Sequence, residues 1–408
     1  MSATPQTPSA EAIDAKALAT AAWLEGRGRS VLRQMVGLVA QPGVISLAGG
    51  LPDPALFPAR RYGAAVKALL DEDPRALQYS PTFADLKEQI VGIMKRRGVD
   101  CTVDQIFLTT GAQQGIDIAT RLFLDPGDTV VLESLAYTGI HNTIAPYRPR
   151  VVTVETDLET GLNVDALERA FEQSEAALTY VIPDAHNPLG VSLSEEKRQR
   201  LVELVRHYGV PVLEDDPYGL LWYDDEFAPP LRARCSSHVL YLGSFSKILA
   251  PALRLGWIVV PDGLLDRLTL VKEATDLECS ALTQRAVSHV LADGLLEPQL
   301  ERIRSSYRER RDALLGALDE FMPAEARWTR PGGGMFVWLE LPGRLDAFEL
   351  LERSLEEDRV AFIPGGAFAS DPTSGAGRHC ARLSFATLEP KNIHEAVAKL
   401  AACIERSV

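Results

Sequence analysis

The sequence predicts an α/β protein with a large domain, in which a mostly parallel sheet lies between helices, and a smaller α+β domain after it. Three observations lead there. Apolar, β-branched runs alternate with helical patterns from about residue 60 to 290. Each run is short and bounded by turn residues, as strands buried on both faces are. The 408 residues exceed one domain of about 150, and 46% of them are hydrophobic, enough to fill more than one core.

Taken in order, residues 1–15 are rich in Ser, Thr, Pro and Ala and read as a flexible tail. Residues 16–57 form an N-terminal segment expected to join the small domain, with a helical pattern through "VLRQMVGLV". The large domain is expected over 58–290. Its helices include "RYGAAVKALLDE" and "SEEKRQRLVELVRHYG"; its strands are "QIFLTT", "TVVLES", "RVVTVE", "ALTYVIP", "PVLEDD", "HVLYLGS" and "GWIVVP". Over 291–408 the small domain follows: long helices near 280 to 321 lead into "GGGMFVWLELP", "RVAFIPG" and "ARLSFAT", which read as strands. No internal repeat is visible.

Charge and composition exclude several classes. A formal charge of -14 without a basic run argues against nucleic acid or an anionic membrane as partner. Cys101, Cys235, Cys279, Cys380 and Cys403 show no CxxC spacing, so neither a disulfide framework nor a zinc ribbon is expected, and a reducing compartment fits. The start, "MSATPQTPSAEAIDAKALATAAW", lacks the basic and apolar regions of a signal peptide, and no apolar run approaches the ~18 residues of a membrane span. A cytoplasmic protein is expected.

Open α/β sheets bind ligands beyond the carboxyl ends of their strands. Polar residues recur there: "TTGAQQG", "ESLAY", "PDAHNPLG", "EDDPYG" and "GSFSK" each follow a strand. In "TTGAQQGID", Gly111 precedes a helix whose first amides, those of Ala112 and Gln113, can face an anion; the alternative is an ordinary tight connection, and GxGxxG spacing is absent. "VLEDDPYG" has three readings. Asp215 can keep a heteroaromatic nitrogen protonated while Tyr218 donates to an oxyanion; Glu214, Asp215 and Asp216 can bind Mg²⁺; or the stretch is a solvated loop. Asn187 in "PDAHNPLG" is either an amide donor to a ligand or part of a common Asn-Pro turn with His186. Tyr137 in "ESLAY" either stacks on a flat ligand or packs in the core.

"GSFSKILAPALRLGW" places Lys247 in an apolar setting where a buried, unpaired ammonium is costly. Condensed with an aldehyde, the amine becomes an imine and that problem changes character. Ser244, Ser246 and Arg254 would then hold a phosphate carried by the aldehyde. The competing reading is a surface lysine.

The order and spacing of these stretches carry a family resemblance. Together with "ISLAGGLPDPALFP", "LQYSP", "FIPGGAF" and "RLSFATL", they make the chain, from about residue 30 to its end, resemble the class I/II, fold-type I aminotransferases that use pyridoxal 5′-phosphate (PLP). Within that group it is most similar to the 2-aminoadipate aminotransferases. The resemblance implies that Lys247 forms the imine with PLP, that Asp215 pairs with the pyridine nitrogen, and that Tyr218 and Asn187 bond the ring's phenolate oxygen under a stacked Tyr137. It implies a phosphate held by Gly111, Ala112, Gln113, Ser244, Ser246 and Arg254, with Tyr79 arriving from the partner of a homodimer with shared active sites. Arg382 matches the arginine that grips the substrate α-carboxylate, Gly50 lies close to the substrate, and no metal is implied.

Three positions depart from the pattern. His186 stands where the family often has glutamine, Ala112 where it often has serine, and "SPTFADLKEQI" is shorter than the usual version. Arg33, with Arg27 and Arg29 nearby, matches an arginine that can bind a second substrate carboxylate; the alternative is a solvated basic helix face. The implied activity is transfer of an amino group between an L-amino acid and a 2-oxo acid, with 2-oxoglutarate and glutamate as one pair and a 2-aminoadipate-like or broad second substrate, in amino acid metabolism or biosynthesis. Two rival readings stand beside it: another PLP reaction (elimination, decarboxylation or oxidation), and the aminotransferase-like sensor of a transcription regulator. The second requires a winged helix with a basic recognition helix, which the stretch before "ISLAGG" does not resemble.

Overall fold

The seven apolar runs all become strands of one sheet. In the computed structural model, which describes residues 20–25 and 43–408, they are β1 (Ile106–Thr109), β2 (Thr129–Glu133), β3 (Arg150–Val154), β4 (Ala176–Val181), β5 (Val212–Asp215), β6 (Val239–Ser244) and β7 (Gly256–Val259). Residues 1–15, the pattern "VLRQMVGLV", Arg27, Arg29 and Arg33 lie outside the described residues.

The sheet order is β1-β7-β6-β5-β4-β2-β3. Neighbours run parallel except β7, which is antiparallel to both β1 and β6. Alternation explains why the strands read as continuous apolar runs, because successive side chains feed opposite cores. Leu213 and Leu240 point into one core with Ile116, Ile140 and Leu268 from the helices Ala112–Phe123, Thr138–Ile144 and Leu265–Glu273. Val212 and Val239 point into the other with Leu167 and Leu201 from the helices Val164–Gln173 and Glu195–Tyr208.

The helix Glu195–Tyr208 shows how sequence sets an element. Ser194 caps it by accepting from the Lys197 amide, Glu195 and Glu196 sit in its first turn, Arg206 and His207 in its last, and Gly209 closes it at φ 71°.

A second sheet, antiparallel throughout, is built from β8 (Arg327–Trp328), β9 (Phe336–Glu340), β10 (Ile363–Pro364) and β11 (Cys380–Ser384) in the order β8-β9-β11-β10. The helices Leu296–Phe321 and Pro390–Glu405 pack together beside it. Ile45–Ser46 pairs in parallel with Val360–Ala361, and the Ser384 amide donates to Leu47 O at 2.7 Å. One apolar cluster, containing Leu47, Trp257, Phe336, Leu383 and Leu400, ties this sheet to the β7 side of the first. The packing therefore brings residues 48–50 and Arg382, at the middle of β11, to the segments that follow β4 and β6.

Candidate active site

Lys247 follows β6, and its Nζ donates to Gly50 O at 2.9 Å, joining residues far apart in sequence. Burial pushes its ammonium down to about 8, the Arg382 cation pushes the same way, and Asp215 opposes both. At neutral pH an appreciable fraction of this amine is unprotonated, which an exposed lysine lacks.

Asp215 ends β5 and is 3% exposed. Its Oδ2 accepts from the Tyr180 hydroxyl at 2.6 Å, while Oδ1 is buried without a partner. Burial pushes the carboxyl up to about 7 against the Tyr180 hydrogen bond; the neighbouring Asp216 raises it further and Lys247 lowers it. A buried acceptor without a partner is rare in a native fold and marks a place where a donor is expected.

A group of hydrogen-bond donors lies at the ends of β1 and β6. Gly111 sits at φ 80° at the N-cap of the helix Ala112–Phe123, where a Cβ would come within 2.7 Å of the Arg254 guanidinium. Arg254 donates to Thr110 O at 3.2 Å, the Ser244 hydroxyl to Ser246 Oγ at 3.0 Å, and Tyr137 OH to Gln113 Oε1 at 3.3 Å. Helix amides, two hydroxyls and a guanidinium thus converge from separate elements.

Arg382 comes from β11 and is 3% exposed. It donates to Asn187 Oδ1 at 2.9 Å and to Ala48 O at 3.0 Å, and its guanidinium lies 4.1 Å from the Phe336 ring centroid and 4.9 Å from that of Phe368. Burial pushes its pKa down to about 10, opposed by the Tyr218 and Tyr137 phenols. Among the described residues no carboxylate forms an ion pair with it, and its Nε is buried without a partner. A Cβ on Gly50 would stand 3.5 Å from this guanidinium and from Phe336. Asn187, its Oδ1 engaged, has its amide nitrogen left to donate. Tyr218, 2% exposed, packs edge-on against Phe336 with ring centroids 6.1 Å apart, and burial holds its phenol far above the ordinary value.

Lys247 feels the charges of Asp215 and Arg382, and Tyr137 those of Asp215, Arg254 and Arg382, so these sets of contacts face one another; two of the sequence-identified residues stand apart. Tyr79 is 86% exposed and lies outside the cluster, and Arg33 is outside the described residues. The carboxylates of "EDD" part company. Glu214 accepts from the Leu231 and Arg232 amides at 2.7 and 2.8 Å, Asp215 takes Tyr180, and Asp216 takes Tyr241 OH at 2.9 Å and Arg97 at 3.2 Å. Such partners leave no shared metal position there, and no cluster of three His, Cys, Asp or Glu side chains poised for a metal occurs among the described residues.

Sequence reasoning missed several residues. Tyr180 reads as one more apolar member of "ALTYVIP". Phe336 and Phe368 read as core. His186 Nε2 meets Glu133 Oε2 at 3.0 Å behind the Asn187 turn, and Asp184 beside that turn pairs with Arg97 at 3.0 Å and with Arg198. Only the unusual density of charge in buried segments signals such pairs, since their partners lie on distant stretches of chain.

Residues 47–400 match the family model described as aminotransferase class I and II. The chain is 39% identical to the 2-aminoadipate transaminase of Thermus thermophilus over 93% of this chain and 96% of that one. Its fold is similar to that of Pyrococcus horikoshii kynurenine aminotransferase, solved in complex with PMP and with KYN and KYA, at TM-score 0.90 and 35% identity over 97% of this chain and 98% of that chain. It is similar too to the α-aminoadipate aminotransferase of Thermus thermophilus complexed with N-(5′-phosphopyridoxyl)-L-leucine, at TM-score 0.83 and 37% identity over 95% and 99%.

Proposed function

The chain belongs to the class I and II aminotransferases, and from that premise we propose how its own residues move an amino group between an L-amino acid and a 2-oxo acid. It is a PLP-dependent, fold-type I enzyme. The residues present fit PLP: Asp215 Oδ1 lacks a partner where a protonated ring nitrogen would supply one, and Arg254 closes on Gly111 so tightly that a side chain there would fill the phosphate cradle. When bound, PLP supplies an aldehyde for amines and an electron sink for the carbanion at an amino acid's Cα.

In this reading Lys247 would hold the aldehyde and, once freed by the incoming substrate amine, would carry the proton from the substrate Cα, as general base, to the cofactor's C4′, as general acid. The Gly50 carbonyl aims Nζ, and the depressed ammonium keeps enough free amine for the task. Asp215 would hold the ring nitrogen in its protonated form. Tyr218 and Asn187 would donate to the ring's oxygen, and Tyr137 would cover one face. The amides of Ala112 and Gln113, with Gly111, Ser244, Ser246 and Arg254, would hold the phosphate.

The observation that carries the reading is the buried Arg382 guanidinium without a carboxylate among the described residues. A charge so placed is stabilised by an anion that arrives from outside, and a planar fork beside Lys247 suits the α-carboxylate of an amino acid. For the side chain, we assign glutamate and 2-oxoglutarate as one pair and a 2-aminoadipate-like amino acid, within a broad range, as the other; the 2-aminoadipate transaminase relative supports this. Arg33 is the proposed partner of the distal carboxylate. A panel of amino acids, scored by bleaching of the bound cofactor's absorbance, tests it: Arg33→Ala should slow glutamate and 2-aminoadipate and spare leucine, and equal effects on all three would remove Arg33 from the reading.

We further assign a homodimer in which Tyr79 enters the partner's site. The exposure of Tyr79 at 86%, Leu77 at 69% and Leu51 at 65% supports a covering surface. Five free cysteines fit a reducing cytoplasm and a role in amino acid metabolism there. Among the described residues no helix is long and apolar enough to cross a membrane.

A further inference from the structure

Tyr180 is the penultimate residue of β4, 2% exposed, within the apolar core shared with Leu178, Leu213 and Leu242. Phenylalanine would fill that space equally well, so the hydroxyl has a polar purpose. Its hydrogen bond is to Asp215 Oδ2 at 2.6 Å. Register explains the reach: Tyr180 is opposite Leu213, and Asp215 lies two residues further along β5 on the same face, a diagonal cross-strand neighbour.

We propose that Tyr180 is a positioning residue for the cofactor's ring nitrogen, acting through Asp215. The inference rests on the role given to Asp215 above. Fixing Oδ2 fixes the plane of the carboxylate, and with it the direction in which the partnerless Oδ1 points. A hydrogen bond from a neutral phenol also favours the ionised carboxylate, which burial opposes. The phenol itself is held in its protonated, donating form, its pKa raised well above the ordinary value by burial first and then by the Asp215 charge. Asp216 and Lys247 are the other charges acting on Asp215, one raising and one lowering its carboxyl. A carboxylate deprived of Tyr180 would turn more freely and hold its proton more readily, and both changes weaken its pairing with a cationic ring nitrogen.

The test uses two ligands that differ only at the ring position concerned: pyridoxamine 5′-phosphate and its deaza analogue, with C–H in place of the ring nitrogen. Each is titrated calorimetrically into the cofactor-stripped, full-length protein. Tyr180→Phe should raise Kd for pyridoxamine phosphate about ten-fold, as the loss of a charge-assisted bond does, and change Kd for the deaza analogue less than about two-fold. In the Asp215→Asn background the same change should leave both Kd values within about two-fold. That pair of proteins contains no buried carboxylate stripped of its donor, so it remains measurable if the single variant folds poorly. Equal losses for both ligands would overturn the proposal and reduce the hydroxyl to a packing role, as would a ten-fold loss that persists in the Asp215→Asn background. If Asp215→Asn itself fails to change the preference between the ligands, the role of Asp215 falls, and the inference falls with it. If Asp215→Asn erases the preference while Tyr180→Phe preserves it, only the inference about Tyr180 falls.

Discussion

Replacing Arg382 by lysine keeps the charge and removes the fork. Arginine has five N–H donors; two are taken by Asn187 Oδ1 and Ala48 O, so three remain for a ligand, Nε among them. A lysine ammonium cannot span a carboxylate bidentately, and its shorter reach leaves Asn187 or Ala48 without its donor. Breaking one side of a buried, hydrogen-bonded charge pair costs about 2–5 kcal/mol. With the charge retained, the lower part of that range applies, roughly 2–3 kcal/mol, which at about 1.36 kcal/mol per decade is a 30- to 150-fold loss in kcat/KM. The assay is the single-turnover half-reaction of the loaded enzyme with glutamate, followed by absorbance. A primary amine without a carboxylate is the control, and its rate should change less than about three-fold. Equal losses for glutamate and the amine would refute the reasoning, because the damage would then lie in the site's shape; so would a loss below about five-fold for glutamate.

Lys247→Ala should abolish amino transfer, measured as 2-oxo acid release. In the intact chain the amine should capture pyridoxal phosphate at a rate that falls about ten-fold per pH unit below 8, where the ammonium predominates, and levels off above it; a rate still climbing at pH 10 would mean an ordinary lysine. Asp215→Ala should lower turnover by about 10² or more while the protein retains part of its cofactor, and an unchanged kcat would remove its electrostatic role. Chains carrying Tyr79→Ala and chains carrying Lys247→Ala, each nearly inactive, should regain activity when refolded together, since one mixed site would then be whole; inactivity of the mixture would count against a site shared between subunits.

Much of the fold is visible in the primary structure because burial on both faces leaves a local signature. Strands such as β6 and β7 are apolar at nearly every position, and the polar residues that end β5 and β6, Asp215 and Ser244, mark the carboxyl edge. Direction is another matter. "GWIVVP" reads the same whether β7 runs with or against its neighbours, for apolar content has no polarity along the chain. Site residues were legible where chemistry breaks the local pattern, as with Lys247 among hydroxyls. They were hidden where a functional group looks like packing: Tyr180 contributes a ring to the core and a hydroxyl to Asp215, and only the cross-strand register reveals the second. Pairings such as Asp184 with Arg97 and Arg198, or His186 with Glu133, depend on which distant segments meet, and no local pattern encodes that.

The reversed direction of β7 bears on how the protein reaches its native state. A parallel successor to β6 would need a long crossover, but an antiparallel one is reached through residues 245–255 alone, held by Phe245 N–H to Leu255 O at 3.1 Å and by the Ser244–Gly256 pairing. Lys247 and Arg254 share that short connection. Their spacing is therefore a low-contact-order property, settled by neighbours in the chain before the slow, long-range docking of β1 and the second sheet. Lys247 and Arg254 thus lie on a nearly self-contained hairpin module, one that circular permutation elsewhere in the large sheet should leave intact.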